Sequence, residues 1–231
     1  MNDPAAAHAA ARRDAKRLLR LARTGALATL DAGLPMTTLI GVASDWDGAP
    51  LFLMSELSRH TRNLSADSRV CLLLTSVGGV GDPLNRPRIS LGGVVRLRQG
   101  ADGRARYVQR NPKSKLYVDF ADFSLRRLDV ESVHFNGGFG RAEALTAAEL
   151  LTAGDASALC VAEPALLRQI AALDAAALTK LAGGGRRVWR PLGLDAEGLD
   201  LGSGGVAARV DFEAPALEPQ AWLAALQRLA G

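Results

Sequence analysis

The chain has 231 residues, 48% of them hydrophobic and 23% charged, which excludes disordered and fibrous classes and leaves room for one substantial core with a smaller appended unit. No apolar run approaches the roughly 18 to 20 residues of a spanning helix, and the N-terminus lacks a basic region leading into an apolar one, so a soluble cytoplasmic protein is expected. The net charge of +4 hides an asymmetry: residues 1–120 carry 18 Lys/Arg against 10 Asp/Glu and residues 121–231 carry 10 against 14. With only 5% aromatic residues and no nucleic-acid-binding signature, the basic front half suits a small anionic ligand at least as well as nucleic acid.

Residues 5–23, rich in Ala, Leu, Arg and Lys, predict a helix that stops at Thr24-Gly25, with Arg12, Arg13, Lys16, Arg17, Arg20 and Arg23 on a solvated face and His8 inert near the terminus. Short strands follow at ALATLD (26–31), TTLIGVAS (37–44) and LFLMSE (51–56), the last two joined by a turn at Asp47-Gly48 that Trp46 covers. RVCLLLT (69–75), RISLGGVVRLR (88–98) and a last pair around SLRRLDVESVHF (124–135) continue the series. Six or so short strands with tight turns argue for an antiparallel barrel, and Gly92-Gly93 fits a bulged wall. Residues 101–123 read as two short helices broken at Asn111-Pro112.

Residues 145–182 are alanine-rich and helical, with Leu166, Ile170, Leu173 and Leu178 on an apolar stripe and Pro164 near a helix start. The glycines 183–185 end this stretch; three short strands and a terminal helix then complete a small α+β unit anchored by Trp189 and Trp222. The expected domains are 1–158 and 159–231. Cys71 and Cys160, in apolar surroundings without CxxC or Cys/His spacing, are expected to be buried free thiols, which argues against a disulfide or a zinc site.

LSRHTRNL (57–64) concentrates the chemistry. Ser58 can cap a short helix whose first-turn N–H groups face an anion; Arg59 and Arg62 add charge, and Ser58 and Thr61 add neutral donors. The alternative is an ordinary capped helix with surface arginines. GGVGDP (78–83) lacks the third glycine of a dinucleotide loop, and GGFGRA (137–142) is either a tight strand-to-helix corner or a close approach to a ligand beside Arg141. His134, in VHF, is either a haem ligand or a hydrogen-bonded histidine. GxSxG, HExxH, P-loop and paired-carboxylate arrangements are missing, so any chemistry would come from a cofactor.

GLPMTTLI, DGAPLFLMSELSRHTRNLSADSRVCLLL, DPLNRPRISLGGVVRL and VHFNGGFGRAEAL resemble the pyridoxamine 5′-phosphate oxidase-like FMN-binding split barrels, and HTRNL and GGFGRA look most like their haem-utilisation branch. The resemblance implies an α+β chain: an antiparallel split β-barrel followed by a small α+β C-terminal domain, assembled as a homodimer with the cofactor at the subunit interface. It implies that Thr37, Thr38, Leu39 and Ile40 approach the flavin, with Met54 and Ser55 on the adjacent strand end. Ser58, Arg59, His60 and Thr61 would hold the phosphate, and Arg88 would either reach the flavin or serve as a barrel-edge charge. His60 stands where the oxidases carry lysine, and QRLAG lacks their arginine- and histidine-bearing closing segment, so vitamin B6 oxidation is not implied. The expected function is an FMN-dependent oxidoreductase of unknown substrate. The alternatives are a haem-binding or haem-degrading protein with His134 or His60 as axial ligand, and a non-enzymatic dimeric binding protein without nucleic-acid or membrane partners.

Overall fold

The computed structural model describes residues 3–76, 81–138 and 141–230, which divide into two compact units between Leu151 and Thr152. No helix among the described residues is long and apolar enough to cross a membrane.

The first unit opens with helix α1 (Pro4–Leu21), started by Asp3, which accepts the Ala5 N–H at 3.0 Å. Strands β1 (Thr24–Asp31) and β2 (Leu34–Gly41) form a hairpin whose two turn residues, Ala32 and Gly33, both have positive φ, as a tight turn matched to strand twist requires. The expected strand 37–44 is interrupted at Val42: β3 (Ala43–Ser44) instead pairs with β4 (Pro50–Ser55) across the Asp47-Gly48 turn. Helix α2 (Arg59–Ala66), strands β5 (Arg69–Thr75) and β6 (Arg88–Leu97) and helix α3 (Ala101–Arg110) follow. The last expected strand pair is one 14-residue strand, β7 (Phe123–Asn136), partnered by a short β8 (Ala142–Leu145) before helix α4 (Ala147–Leu150).

The strands form one antiparallel sheet in the order β2-β1-β5-β6-β7-β4-β3, with β8 beside β7. The sheet curls until β2 approaches β4, yet these two strands share no ladder, so the barrel is split there. In β5, alternation turns Val70, Leu72 and Leu74 inward onto Phe52, Ile89, Leu91 and Leu128. Each fully buried side chain of this kind contributes about 1.5–3 kcal/mol. The same alternation puts Cys71 on the outer face, so it is exposed rather than buried, and Cys160 is only partly buried. Gly92 and Gly93 sit at a register shift between β6 and β7, and a Cβ on Gly93 would overlap the Asp129 carbonyl oxygen.

Much of the basic charge of this unit is consumed inside it. Arg20 is 1% exposed and not on a solvated face; a Cβ on Gly48 would lie 2.8 Å from its guanidinium. Arg127 holds the β3–β4 turn through Asp45 at 3.0 Å and Asp47 at 2.6 Å, and Arg98 reaches Asp45 at 2.9 Å. Arg106 donates to the Ser44 carbonyl at 2.7 Å and lies 4.7 Å from the centroid of Trp46, which is buried in this knot rather than draped over a turn. His8 is not inert either: its Nε2 lies 2.8 Å from Glu149 and its Nδ1 3.4 Å from Glu143.

The second unit comprises helices α5 (Ser157–Ala171) and α6 (Ala175–Leu181), strands β9 (Arg190–Asp195), β10 (Gly198–Ser203) and β11 (Val206–Asp211), and helix α7 (Pro219–Ala230). The expected boundary at 158/159 falls in the first turn of α5. Pro164 is inside α5, not at its start, because Asp155 accepts the Ser157 N–H at 2.8 Å and begins the helix earlier. Leu173 leaves the stripe for the surface because α5 has ended at Ala171. The sheet order β11-β10-β9 packs Leu194, Leu199 and Leu201 with Leu159, Ile170 and both expected anchors, Trp189 and Trp222. Arg209 is buried and bound to Asp195 at 2.7 Å, Asp200 at 2.8 Å and Asp211 at 2.8 Å, and these carboxylates raise its pKa against the effect of burial.

Candidate cofactor cleft

The split between β2 and β4 opens into a cleft of about 300 Å³. Leu39, Ile40 and Gly41 form one wall and Leu53, Met54 and Ser55 the other; Ser58 and His60 enter from the start of α2, and Tyr107, Tyr117 and Phe123 complete it. Six residues singled out from the sequence therefore meet here: Leu39, Ile40, Met54, Ser55, Ser58 and His60.

The other sequence candidates lie elsewhere. Thr38 is behind the lining, its Oγ1 3.2 Å from His60 Nδ1, and Thr37 is exposed on the outer sheet face. Arg59 forms an ion pair with Asp31, and Arg62 donates to the Leu57 carbonyl at 2.6 Å. Thr61 is fully buried on the inner side of α2. Arg88 folds back onto the Leu84 carbonyl at 2.6 Å. His134 is exposed on the outer face, in a row that register defines as Leu39, Ala26, Leu73, Ser90, His134 and Ala144. Around GGFGRA, Gly137 and Arg141 close a strand-to-strand corner, with Arg141 donating to the Gly137 carbonyl; the sequence suggested a strand-to-helix corner. Residues 139–140, and 78–80 of GGVGDP, lie outside the described residues.

Five lining residues escaped sequence reasoning: Gly41, Leu53, Tyr107, Tyr117 and Phe123. A signal was present, since both tyrosines of the chain and two of its six phenylalanines crowd into residues 107–123. Tyr117 and Phe123 stack with ring centroids 5.1 Å apart, and Phe120 packs edge-on to Phe123 at 6.3 Å. Leu39, Leu57, Leu116 and Phe120 are exposed on or beside this lining and give the mouth an apolar rim.

The electrostatics are those of a neutral site. Burial lowers the His60 pKa, so its imidazole is uncharged near neutral pH. Burial pushes the Tyr107 phenol up to about 12, against the opposing pull of the Leu53 backbone N–H on its oxygen. Ser55 Oγ donates to Asp122 at 2.5 Å and accepts the Leu57 N–H at 3.1 Å. Ser58 makes no side-chain cap bond in spite of its N-cap position. No permanently charged side chain is among the lining residues.

Residues 5–151 match the family model described as CREG, beta-barrel. The chain belongs to that family. The split barrel expected from the sequence is the fold of this CREG-type unit. The protein Atu2129 of Agrobacterium tumefaciens str. C58, of unknown function, is 34% identical over 99% of this chain and 98% of its own, with a TM-score of 0.81. A heme binding protein from Mycobacterium smegmatis is 25% identical over 95% of this chain and 96% of its own, with a TM-score of 0.57. A non-canonical heme oxygenase, HOZ, chloroplastic, from Arabidopsis thaliana is 33% identical over 115 residues, 48% of this chain and 34% of that protein. The chain thus spans about a third of the length of that curated relative.

Proposed function

We propose that this CREG-type barrel binds haem in the cleft between β2 and β4. The observation that carries the reading is the lining: aliphatic and aromatic walls, an apolar rim, one neutral imidazole and no fixed cation. A flat, largely apolar macrocycle suits such walls, and a neutral imidazole is the form of histidine that ligates iron. His60 is the favoured ligand, with Thr38 orienting its ring through Nδ1. The relatives named for haem point the same way. Bound haem would supply one-electron and oxygen chemistry, and this chain would supply binding, orientation and exclusion of water.

FMN is the second reading, favoured by the uncapped start of α2, where Ser58 and His60 line the cleft. Against it, the two arginines that would neutralise a phosphate are engaged, Arg59 with Asp31 and Arg62 with the Leu57 carbonyl. Each charge-assisted bond forgone is about 1.5–3 kcal/mol. An FMN-dependent oxidoreductase would need Arg59 to exchange partners.

We further propose a homodimer with the cofactor at the subunit interface. Apart from His134, the outer row from Leu39 to Ala144 is built of small and apolar residues, and Leu39 belongs to both the row and the cleft. A second copy seated on it would cover the cleft mouth.

The deciding experiment is an absorption titration of the purified protein with haemin and, separately, with FMN. A saturable Soret band that shifts or vanishes in His60→Ala is the expected result. Flavin bands that stay with the protein through gel filtration, with no Soret band, would replace haem by FMN. A Soret band that His60→Ala leaves unchanged and His134→Ala abolishes would move the ligand to the outer face.

A further inference from the structure

We infer that Tyr107 is the specificity-determining hydrogen-bond donor of the cleft, presenting its phenol proton to an oxygen acceptor at the edge of a planar ring ligand. The inference rests on the reading that the cleft takes such a ring.

Tyr107 is only 3% exposed, yet it lines the cleft and fills the gap that the missing β2–β4 ladder leaves. Its hydroxyl oxygen lies 2.5 Å from where a Cβ on Gly41 would stand, so only glycine at 41 admits the phenol. Leu53 packs against Tyr107 from the opposite wall, and no side chain or carbonyl of the described residues accepts the phenol proton. An O–H group has one proton and two lone pairs, and the protein here leaves the proton to the cleft. The hydroxyl keeps contact with solvent through the cleft, so a ligand oxygen can take the place of water on its proton.

The carrier helix is fixed on several sides, which makes the donor a pre-set feature. Arg106 binds the Ser44 carbonyl at 2.7 Å, and Arg110 binds the Arg20 carbonyl at 3.1 Å. Arg104 binds the carbonyls of Val118 at 2.6 Å and Phe123 at 3.2 Å, while Asn111 closes the end of α3 on the Val42 carbonyl at 3.1 Å. A donor held by its neighbours discriminates more sharply than a mobile one, because a ligand lacking the acceptor leaves it unpaired.

The acceptor is a ring-edge oxygen, which haem carries as its propionate carboxylates and FMN as its ring carbonyls. Titrations of the full chain with haemin and with FMN separate the two. For whichever probe the wild type binds, Tyr107→Phe should weaken affinity about 3- to 10-fold at unchanged melting temperature. Gly41→Ala, which displaces the phenol, should weaken it at least as much, and the double variant no further than Gly41→Ala alone. Equal affinity in wild type and Tyr107→Phe would overturn the inference, whereas failure of the wild type to bind either probe would overturn the functional reading itself. Should Tyr107→Phe not fold, ultraviolet resonance Raman on Tyr117→Phe, which keeps Tyr107 as its sole tyrosine, decides: donation shifts the tyrosine doublet on ligand addition, and a static doublet refutes it.

Discussion

His8 and His60 sit in the same unit and respond to protons in opposite senses. Hydrogen bonds that His8 donates to the Glu149 and Glu143 carboxylates raise its pKa, and the pairing with His8 and Thr146 holds Glu149 down at about 2. The folded state therefore binds the His8 proton more tightly than the unfolded chain; this stabilisation is complete below 6.5 and lost as pH rises through the raised folded value. Urea unfolding of wild type and His8→Ala should differ at pH 5.5 and converge at pH 9. His60, lowered by burial alone, stabilises fully above 6.5 and loses that contribution as pH falls through its depressed value. Haem affinity should accordingly hold steady from pH 8 to 7 and drop on acidification, a profile that a haemin titration series reads directly. Thr38→Ala, by freeing the His60 ring, should cost about tenfold in haem affinity. A pH-independent titration would remove His60 from the ligand set. Sequence patterning located these side chains but not their partners: nothing local to Arg20, Arg59 or His8 announces Gly48, Asp31 or Glu149, which lie in distant elements.

At the scale of elements, the strands were legible because period-2 alternation is a local property, plain in Val70, Leu72 and Leu74. The bulge at Gly92-Gly93 was legible for the same reason, since paired glycines inside a β pattern have few other uses. Gly93→Ala should destabilise the barrel by about 2–4 kcal/mol through collision with the Asp129 carbonyl, measured by urea unfolding; Ala at Gly33, which meets open space, should cost less. In the second unit, the carboxylates around Arg209 come from β9, β10 and β11 and meet only once the sheet exists. Arg209→Ala would strand Asp195 and Asp200 in the interior and should cost about 3–5 kcal/mol, with the fluorescence of the buried Trp189 and Trp222 as reporters. The aromatic side of the cleft escaped notice because α3 and the segment after it were read for helix breaks, and Tyr107 gains its meaning only against Gly41 on another strand.

For the whole molecule, the proposed dimer gives a simple expectation. Sedimentation should report twice the chain mass, and Leu73→Asp, placing a charge in the outer row beside Ala26 and Ser90, should halve it and weaken haem binding. Undiminished haem binding by a monomeric variant would confine the site to one chain. A larger consequence comes from the slot between β2 and β4. A closed barrel fixes its interior through its hydrogen-bond register, so any change of bore would require re-registering every strand. Here the two facing strands are bridged by Tyr107 of α3, which meets Gly41 of β2 and packs with Leu51 and Leu53 of β4, and which can change while the sheet stays as it is. Such a seam is a tolerance built into the architecture: successive substitutions at 41 and 107 retune which ring fits, and the strands keep every pairing they now have.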